Sequence, residues 1–178
     1  MGRIAAVVLA AGEATRFGAP KQRLLLPTVL ERLARAPVDE VVVVSGAYEL
    51  DSPGGSEPQS PPVRLVTCPE WARGPGASLR CGLAALAEDV ETAVVVLADG
   101  PNLAPEAVAR VLGARRERGG VVAASYAGAR GHPLVLGRED WRDVPDEGLH
   151  DRPVRLVPCD DLGEPGDVDR PEDLPHPV

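Results

Sequence analysis

Ile4-Ala-Ala-Val-Val-Leu9-Ala-Ala-Gly12-Glu-Ala-Thr-Arg16-Phe-Gly18-Ala-Pro-Lys21-Gln22 is the stretch that decides the fold. Its first six residues are continuously apolar with no polar alternation, the pattern of a strand covered on both faces. A loop of small residues follows, from Ala10 to Gln22, carrying Gly12, Gly18, Pro20 and two cations. The same letters loosely imitate a secretory leader, with Arg3 ahead of the apolar run Ile4 to Ala11. The run is short and the basic region is a single Arg, so a first strand is the better expectation.

Outward from this strand the pattern repeats. Leu26, Val29, Leu30 and Leu33 recur at helical spacing and predict a helix over 24–36. Further apolar runs predict strands at 41–44, 63–66, 93–97, 121–124, 134–136 and 154–157. Helices are expected over 77–87 and over 105–118, the latter with Pro105 at its start, and a short helical turn over 171–174. Residues 51–62 (DSPGGSEPQSPP) are rich in Pro, Gly and Ser and read as a surface loop within one domain spanning 1–178. Strands alternating with helices predict an α/β fold: a Rossmann-like, three-layer α/β/α sandwich around a mostly parallel, mixed sheet. In such sheets ligands bind beyond the carboxyl ends of the strands. The loops after Leu9, Val44, Val66 and Leu97 are therefore expected to line a site.

Composition narrows the function. The 178-residue chain is 44% hydrophobic and 26% charged, enough to bury a core, and with 3% aromatic residues that core is aliphatic. A net charge of −8 argues against nucleic-acid and anionic-membrane partners. The longest apolar run, eight residues, is too short to span a membrane. Cys68, Cys81 and Cys159 are odd in number and show no CxxC spacing, which argues against a disulfide scaffold or zinc knuckle and fits a reducing cytoplasm. The acidity is concentrated: residues 139–178 hold 13 acids against 4 Arg. That segment is a solvated face or a source of metal ligands.

Lysine usage is the sharpest single signal. Of 19 basic residues 18 are Arg, and the lone lysine is Lys21, in the first loop with Arg16. A planar Arg fork and a compact Lys ammonium together suit a triphosphate, and small residues at 10–12 let a ligand approach the backbone. The loop is neither a Walker A nor a dinucleotide GxGxxG motif. The alternative is a surface turn with two solvated bases. At the end of the 93–97 strand stands Asp99, a carboxylate that is costly there unless it meets a cation. A hard dication bridging phosphates would suit it. The other reading of Asp99, a helix N-cap, fits poorly because it lies too far upstream of Pro105.

These motifs carry a resemblance. LAAG (9–12) followed by R-F-G (16–18) and K-Q (21–22) resembles the opening signature of nucleotidyltransferases with the nucleotide-diphospho-sugar transferase fold. Within that group the chain is similar to the molybdenum cofactor branch, the cytidylyl- and guanylyltransferases. CPEWARGPGASLRCGL (68–83), LADGP (97–101), RGHP (130–133) and GDVDRPEDL (166–174) resemble the later blocks in the right order. The resemblance implies that Leu9, Ala10, Ala11 and Gly12 meet the base through the backbone. It implies that Arg16 and Lys21 hold the triphosphate, with Lys21 near the α-phosphate. Gly76 and Ser78 would meet the nucleoside from the other side, and Asp99 would bind Mg²⁺. Asp167 is a candidate second metal ligand, although it lies among three carboxylates of which Asp169 could cap a turn. Arg130 and His132 are candidates for contacting the acceptor; a structural His bonded to backbone is the alternative. The implied reaction transfers a nucleotide from CTP or GTP to a phosphorylated acceptor, molybdopterin, releasing pyrophosphate in the cytoplasm, with a molybdoenzyme or maturation factor as a possible protein partner. RGHP and PEDL favour the cytidylyl branch. Glu13, the segment after Pro27 and residues 145–153 (PDEGLHDRP) depart from the pattern. They keep two alternatives open: another small phosphorylated acceptor, or a non-catalytic nucleotide-binding protein.

Overall fold

The computed structural model describes residues 2–12, 21–51, 60–168 and 172. Among them lies one seven-stranded mixed sheet. In chain order its elements are β1 (Arg3–Ala10), α1 (Lys21–Leu33), β2 (Glu40–Ser45), β3 (Val63–Thr67), α2 (Pro75–Ala84), β4 (Val90–Leu97), α3 (Pro105–Arg118), β5 (Val122–Tyr126), β6 (Ala129–Gly137) and β7 (Arg155–Pro158). The strand order is β3-β2-β1-β4-β6-β5-β7. Strands β1 to β4 run parallel, β6 runs antiparallel to β4 and β5, and β7 is parallel to β5.

The period-two geometry of β1 sorts the core into two layers. Ala6 and Val8 face Leu26, Val29 and Leu33 of α1 and Val108, Val111 and Leu112 of α3. Ala5 and Val7 face Leu79 and Leu83 of α2. Helices therefore cover both faces, as the unalternating strand patterns predict. A Cβ at Gly82 would collide with Val7 and Val44, so only glycine lets α2 lie this close to the sheet. The β5–β6 hairpin turns at Ala127 and Gly128, both with positive φ (49° and 79°), the two-residue turn that matches sheet twist.

Three expectations need correction. The first helix spans 21–33 rather than 24–36, so Lys21 and Gln22 open a helix instead of ending a loop. RGHP does not precede its strand: residues 130–133 lie inside β6. A disulfide joins Cys68 and Cys81, against the expectation from cysteine count and spacing. A turn of 3-10 helix at Trp71–Arg73 folds the chain back onto α2 and brings the two Cα atoms to 5.8 Å, a separation no spacing rule registers. Cys159 is free and buried. Among the described residues no helix is long and apolar enough to cross a membrane.

Candidate active site

The carboxyl ends of β1 and β4 lie side by side, with Leu9 paired to Leu97. Lys21, at the first residue of α1, extends its side chain to this edge. Its Nζ lies 3.0 Å from Asp99 Oδ2 and 3.8 Å from Asp167 Oδ1, and donates to the Val168 carbonyl at 2.5 Å. The ammonium is buried, with 9% of its side chain accessible. Asp99, just past β4, thus meets a cation, as a carboxylate at the end of an apolar strand requires.

Asp167 comes from far along the chain. Residues 164–168 fold back over the turn between β4 and α3, where Asn102 N donates to Pro165 O (2.8 Å) and Val168 N to Asp99 O (3.3 Å). Gly166 makes this return at φ 81°, a conformation that favours glycine. Two carboxylates and a carbonyl converge on one point. Such a hard oxygen set fits a divalent cation, and Asp99 and Asp167 would hold it.

The backbone of the first loop is arranged around the same edge. The carbonyls of Leu9, Ala11 and Gly12 accept from Ala98 N (3.1 Å), Ala47 N (3.0 Å) and Gln22 Nε2 (3.0 Å). Leu9 is half-buried, Ala10 and Ala11 are buried, and Gly12 is exposed with open space where a Cβ would stand. Arg16, Glu13 and Phe17 lie outside the described residues, as does Asp169. Gln22 was quoted in the sequence motif without a role, yet it pins the loop, and its Oε1 is buried without a partner among the described residues.

Gly76 and Ser78 are placed differently from Lys21 and Asp99. Both are buried near the start of α2. Gly76 N donates to Asp146 O (2.8 Å), and a Cβ there would collide with Pro145. The segment 145–148 therefore covers this end of the helix. Arg73 and Arg80 both bond the Asp146 carboxylate. The Arg80 hydrogen bond, followed by that of Arg73, holds the carboxyl below the usual range. Residues 145–148 thus form a strap over the helix start.

A cavity of about 270 Å³ opens between the ends of β4, β5 and β6 and the returning tail. Arg130, His132, Tyr126, Glu164 and Asp167 line it. Arg130 is anchored by donating to the carbonyls of Leu149 (2.8 Å) and His150 (3.3 Å). Desolvation pushes the His132 imidazole down to about 4, helped by the Arg130 charge and opposed by Asp99, so it is neutral at pH 7. Tyr126 donates its hydroxyl to the His132 carbonyl (3.1 Å). Burial, with the nearby Cys159, pushes this phenol up to about 12. Sequence reasoning missed Tyr126 and Val168: one is an aromatic in an apolar strand, the other contributes only a carbonyl. A larger cleft of about 540 Å³ beside α1 and β3 holds none of the candidate residues.

Residues 6–157 match the model of the MobA-like NTP transferase domain. The chain belongs to that family. A 2-C-methyl-D-erythritol 4-phosphate cytidylyltransferase from Stenotrophomonas maltophilia (strain K279a) is 40% identical over 118 residues. That match covers 60% of this chain and 50% of the relative, so the chain spans about half the length of the curated relatives it matches. The crystal structure of Rv0371c from Mycobacterium tuberculosis H37Rv is similar at 26% identity and a TM-score of 0.74, covering 97% of this chain and 95% of that one. A structure of Rv0371c in complex with manganese matches at 26% identity and a TM-score of 0.65, with 88% of each chain covered. These solved structures share the α/β nucleotidyltransferase fold described above, and one member of the group has been seen with a divalent metal.

Proposed function

We propose that this protein is a Mg²⁺-dependent cytidylyltransferase that moves CMP from CTP to a small phosphorylated acceptor in the cytoplasm, with molybdopterin the first acceptor to test. One observation carries the reading: Lys21, Asp99 and Asp167 converge at the carboxyl ends of β1 and β4, beside a cavity lined by Arg130 and His132. CTP is favoured over GTP by the cytidylyltransferase names of the curated relatives and by RGHP. A second reading keeps the reaction and takes 2-C-methyl-D-erythritol 4-phosphate as acceptor, supported by the 40% identical match.

An oxygen of the acceptor phosphate attacks the α-phosphorus of CTP. One P–O bond forms, the bond to the β-phosphate oxygen breaks, and pyrophosphate leaves in line. Leu9 to Gly12 meet the nucleoside through their backbone, and the start of α2, under the 145–148 strap, backs this wall of the site. Arg16 and Lys21 neutralise the triphosphate, Lys21 at the α-phosphate where charge develops. A Mg²⁺ ion held by Asp99 and Asp167 would draw charge off the phosphate oxygens. Arg130 meets the acceptor phosphate and neutral His132 gives it a hydrogen bond. The acceptor attacks as an already ionised phosphate, so no side chain need remove a proton.

The test is pyrophosphate release from CTP, GTP, ATP and UTP, with Mg²⁺ or Mn²⁺, in the presence of each acceptor and with Asp99→Asn as blank. Release that needs CTP and molybdopterin together supports the first reading. Release only with the methylerythritol phosphate favours the second. Nucleotide binding without release under any acceptor favours a non-catalytic role.

A further inference from the structure

We infer that the Lys21 ammonium is a placeholder for the divalent cation, so that metal enters the site only together with the polyphosphate that draws Lys21 away. The inference rests on the transferase reading above and deepens it. Nζ sits among Asp99 Oδ2 (3.0 Å), Val168 O (2.5 Å) and Asp167 Oδ1 (3.8 Å), three oxygens of the kind a hard cation takes. Lys21 is buried and Asp99 is mostly covered, while Asp167 opens toward solvent; a dication and an ammonium held by these same oxygens would repel across a few ångströms. Metal alone must therefore part Lys21 from Asp99 and the Val168 carbonyl, at the cost of those contacts. A polyphosphate removes that obstacle, because it offers Lys21 a new anion within reach of its flexible stem.

The backbone that carries Asp99 and the Val168 carbonyl is held independently of Lys21. Asp99 stands at the end of β4, and Val168 N bonds the Asp99 carbonyl (3.3 Å). The Lys21 backbone is fixed as the first residue of α1. Exchange thus turns on the Lys21 side chain, while Asp99 and the Val168 carbonyl stay where the backbone holds them. Two acids and a lysine then act as a gate on metal loading: the same charge that closes the site in the free protein binds the substrate in the loaded one.

The lone lysine makes the idea directly observable. In wild-type protein labelled with ¹³Cε,¹⁵Nζ-lysine, a single side-chain signal reports Lys21. MgCl₂ alone should leave it in place, and MgCl₂ with tripolyphosphate should move it. MgCl₂ alone moving the signal as far as the combination overturns the exchange. Titration with MnCl₂ alone, read by electron paramagnetic resonance, supplies the second arm. Lys21→Ala should bind manganese about tenfold more tightly than wild type, and Asp99→Asn in that background should abolish the gain. Equal manganese affinity in wild type and Lys21→Ala overturns the exchange as well. Failure of the transferase reading shows differently, as no pyrophosphate release from any nucleoside triphosphate, and the manganese comparison decides the exchange in either case.

Discussion

The two sides of the candidate site are built on different principles. On the β1–β4 side, a buried ammonium is satisfied by oxygens: Lys21 lies among Asp99, Asp167 and a carbonyl, at the junction of parallel strands that are covered on both faces. On the β5–β6 side, an antiparallel hairpin presents an exposed Arg130 held by two backbone carbonyls, and a half-buried imidazole that stays neutral. The first side is over-determined, because several oxygens from separate parts of the chain meet one ammonium. The second is anchored through the main chain, and its side chains are left to meet a ligand. A chemical step common to many nucleotides and acceptors suits the first arrangement, and acceptor discrimination suits the second.

The largest expected effect falls on the over-determined side. Asp99→Asn keeps the shape and removes one charge from the cluster. Turnover should fall roughly 10²–10³-fold, with the far-ultraviolet circular dichroism of wild type. An Asn variant that retains a tenth of wild-type turnover would erase the distinction between the two sides.

Lys21→Arg comes next, with turnover expected to fall about a hundredfold despite the conserved charge. Three oxygens converge on a single nitrogen, and a planar guanidinium spreads its charge over a fork too wide for that point. Wild-type kcat in Lys21→Arg would show that net charge alone matters there, and would remove the significance of the lone lysine.

Much of this side was legible in the sequence, for definite reasons. Ile4 to Leu9 read better as a buried strand than as a leader, and Asp99 at the end of another such strand called for a cation. What sequence could not show was the partner's identity. Asp167 reaches the site only because residues 164–168 turn back at Gly166 and pair with Asn102 and Asp99, contacts that no local pattern encodes. The helix start at Lys21 was hidden for a similar reason: Pro20 and small residues spoke for a loop, and Pro27 stands inside the helix. RGHP reads as a lead-in to its strand, since glycine and proline argue against a strand interior, yet tertiary pairing places it inside β6. The Cys68–Cys81 pairing and the covering of Gly76 by 145–148 depend on chain reversals, which spacing does not record.

On the main-chain-anchored side the effects should be smaller and confined to the acceptor. Arg130→Ala should raise the acceptor KM about tenfold, the equivalent of one charge-assisted hydrogen bond, and leave the KM for CTP within twofold. Arg130→Lys should recover only part of the loss, because an ammonium cannot hold the Leu149 and His150 carbonyls and still present a fork. An equal rise in both KM values would mean that the two sides are one site, coupled through the strap at 145–150.

The smallest effect is a matter of stability, and it isolates His132. Its folded-state pKa, about 4, lies below the ordinary value of 6.5, chiefly through desolvation and then through Arg130, with Asp99 acting in the opposite sense. Between these two values the unfolded chain takes up a proton that the folded chain refuses. The contribution of this residue is therefore whole above pH 6.5 and is lost as pH falls toward 4. His132→Gln removes the titration and keeps a polar side chain. Wild type should lose about 1 kcal/mol more than the variant between pH 6.5 and pH 5, measured from urea unfolding midpoints and slopes at the two values. Parallel curves would mean that the imidazole is as well solvated in the folded protein as in the unfolded chain. The cavity would then be open to bulk water at His132.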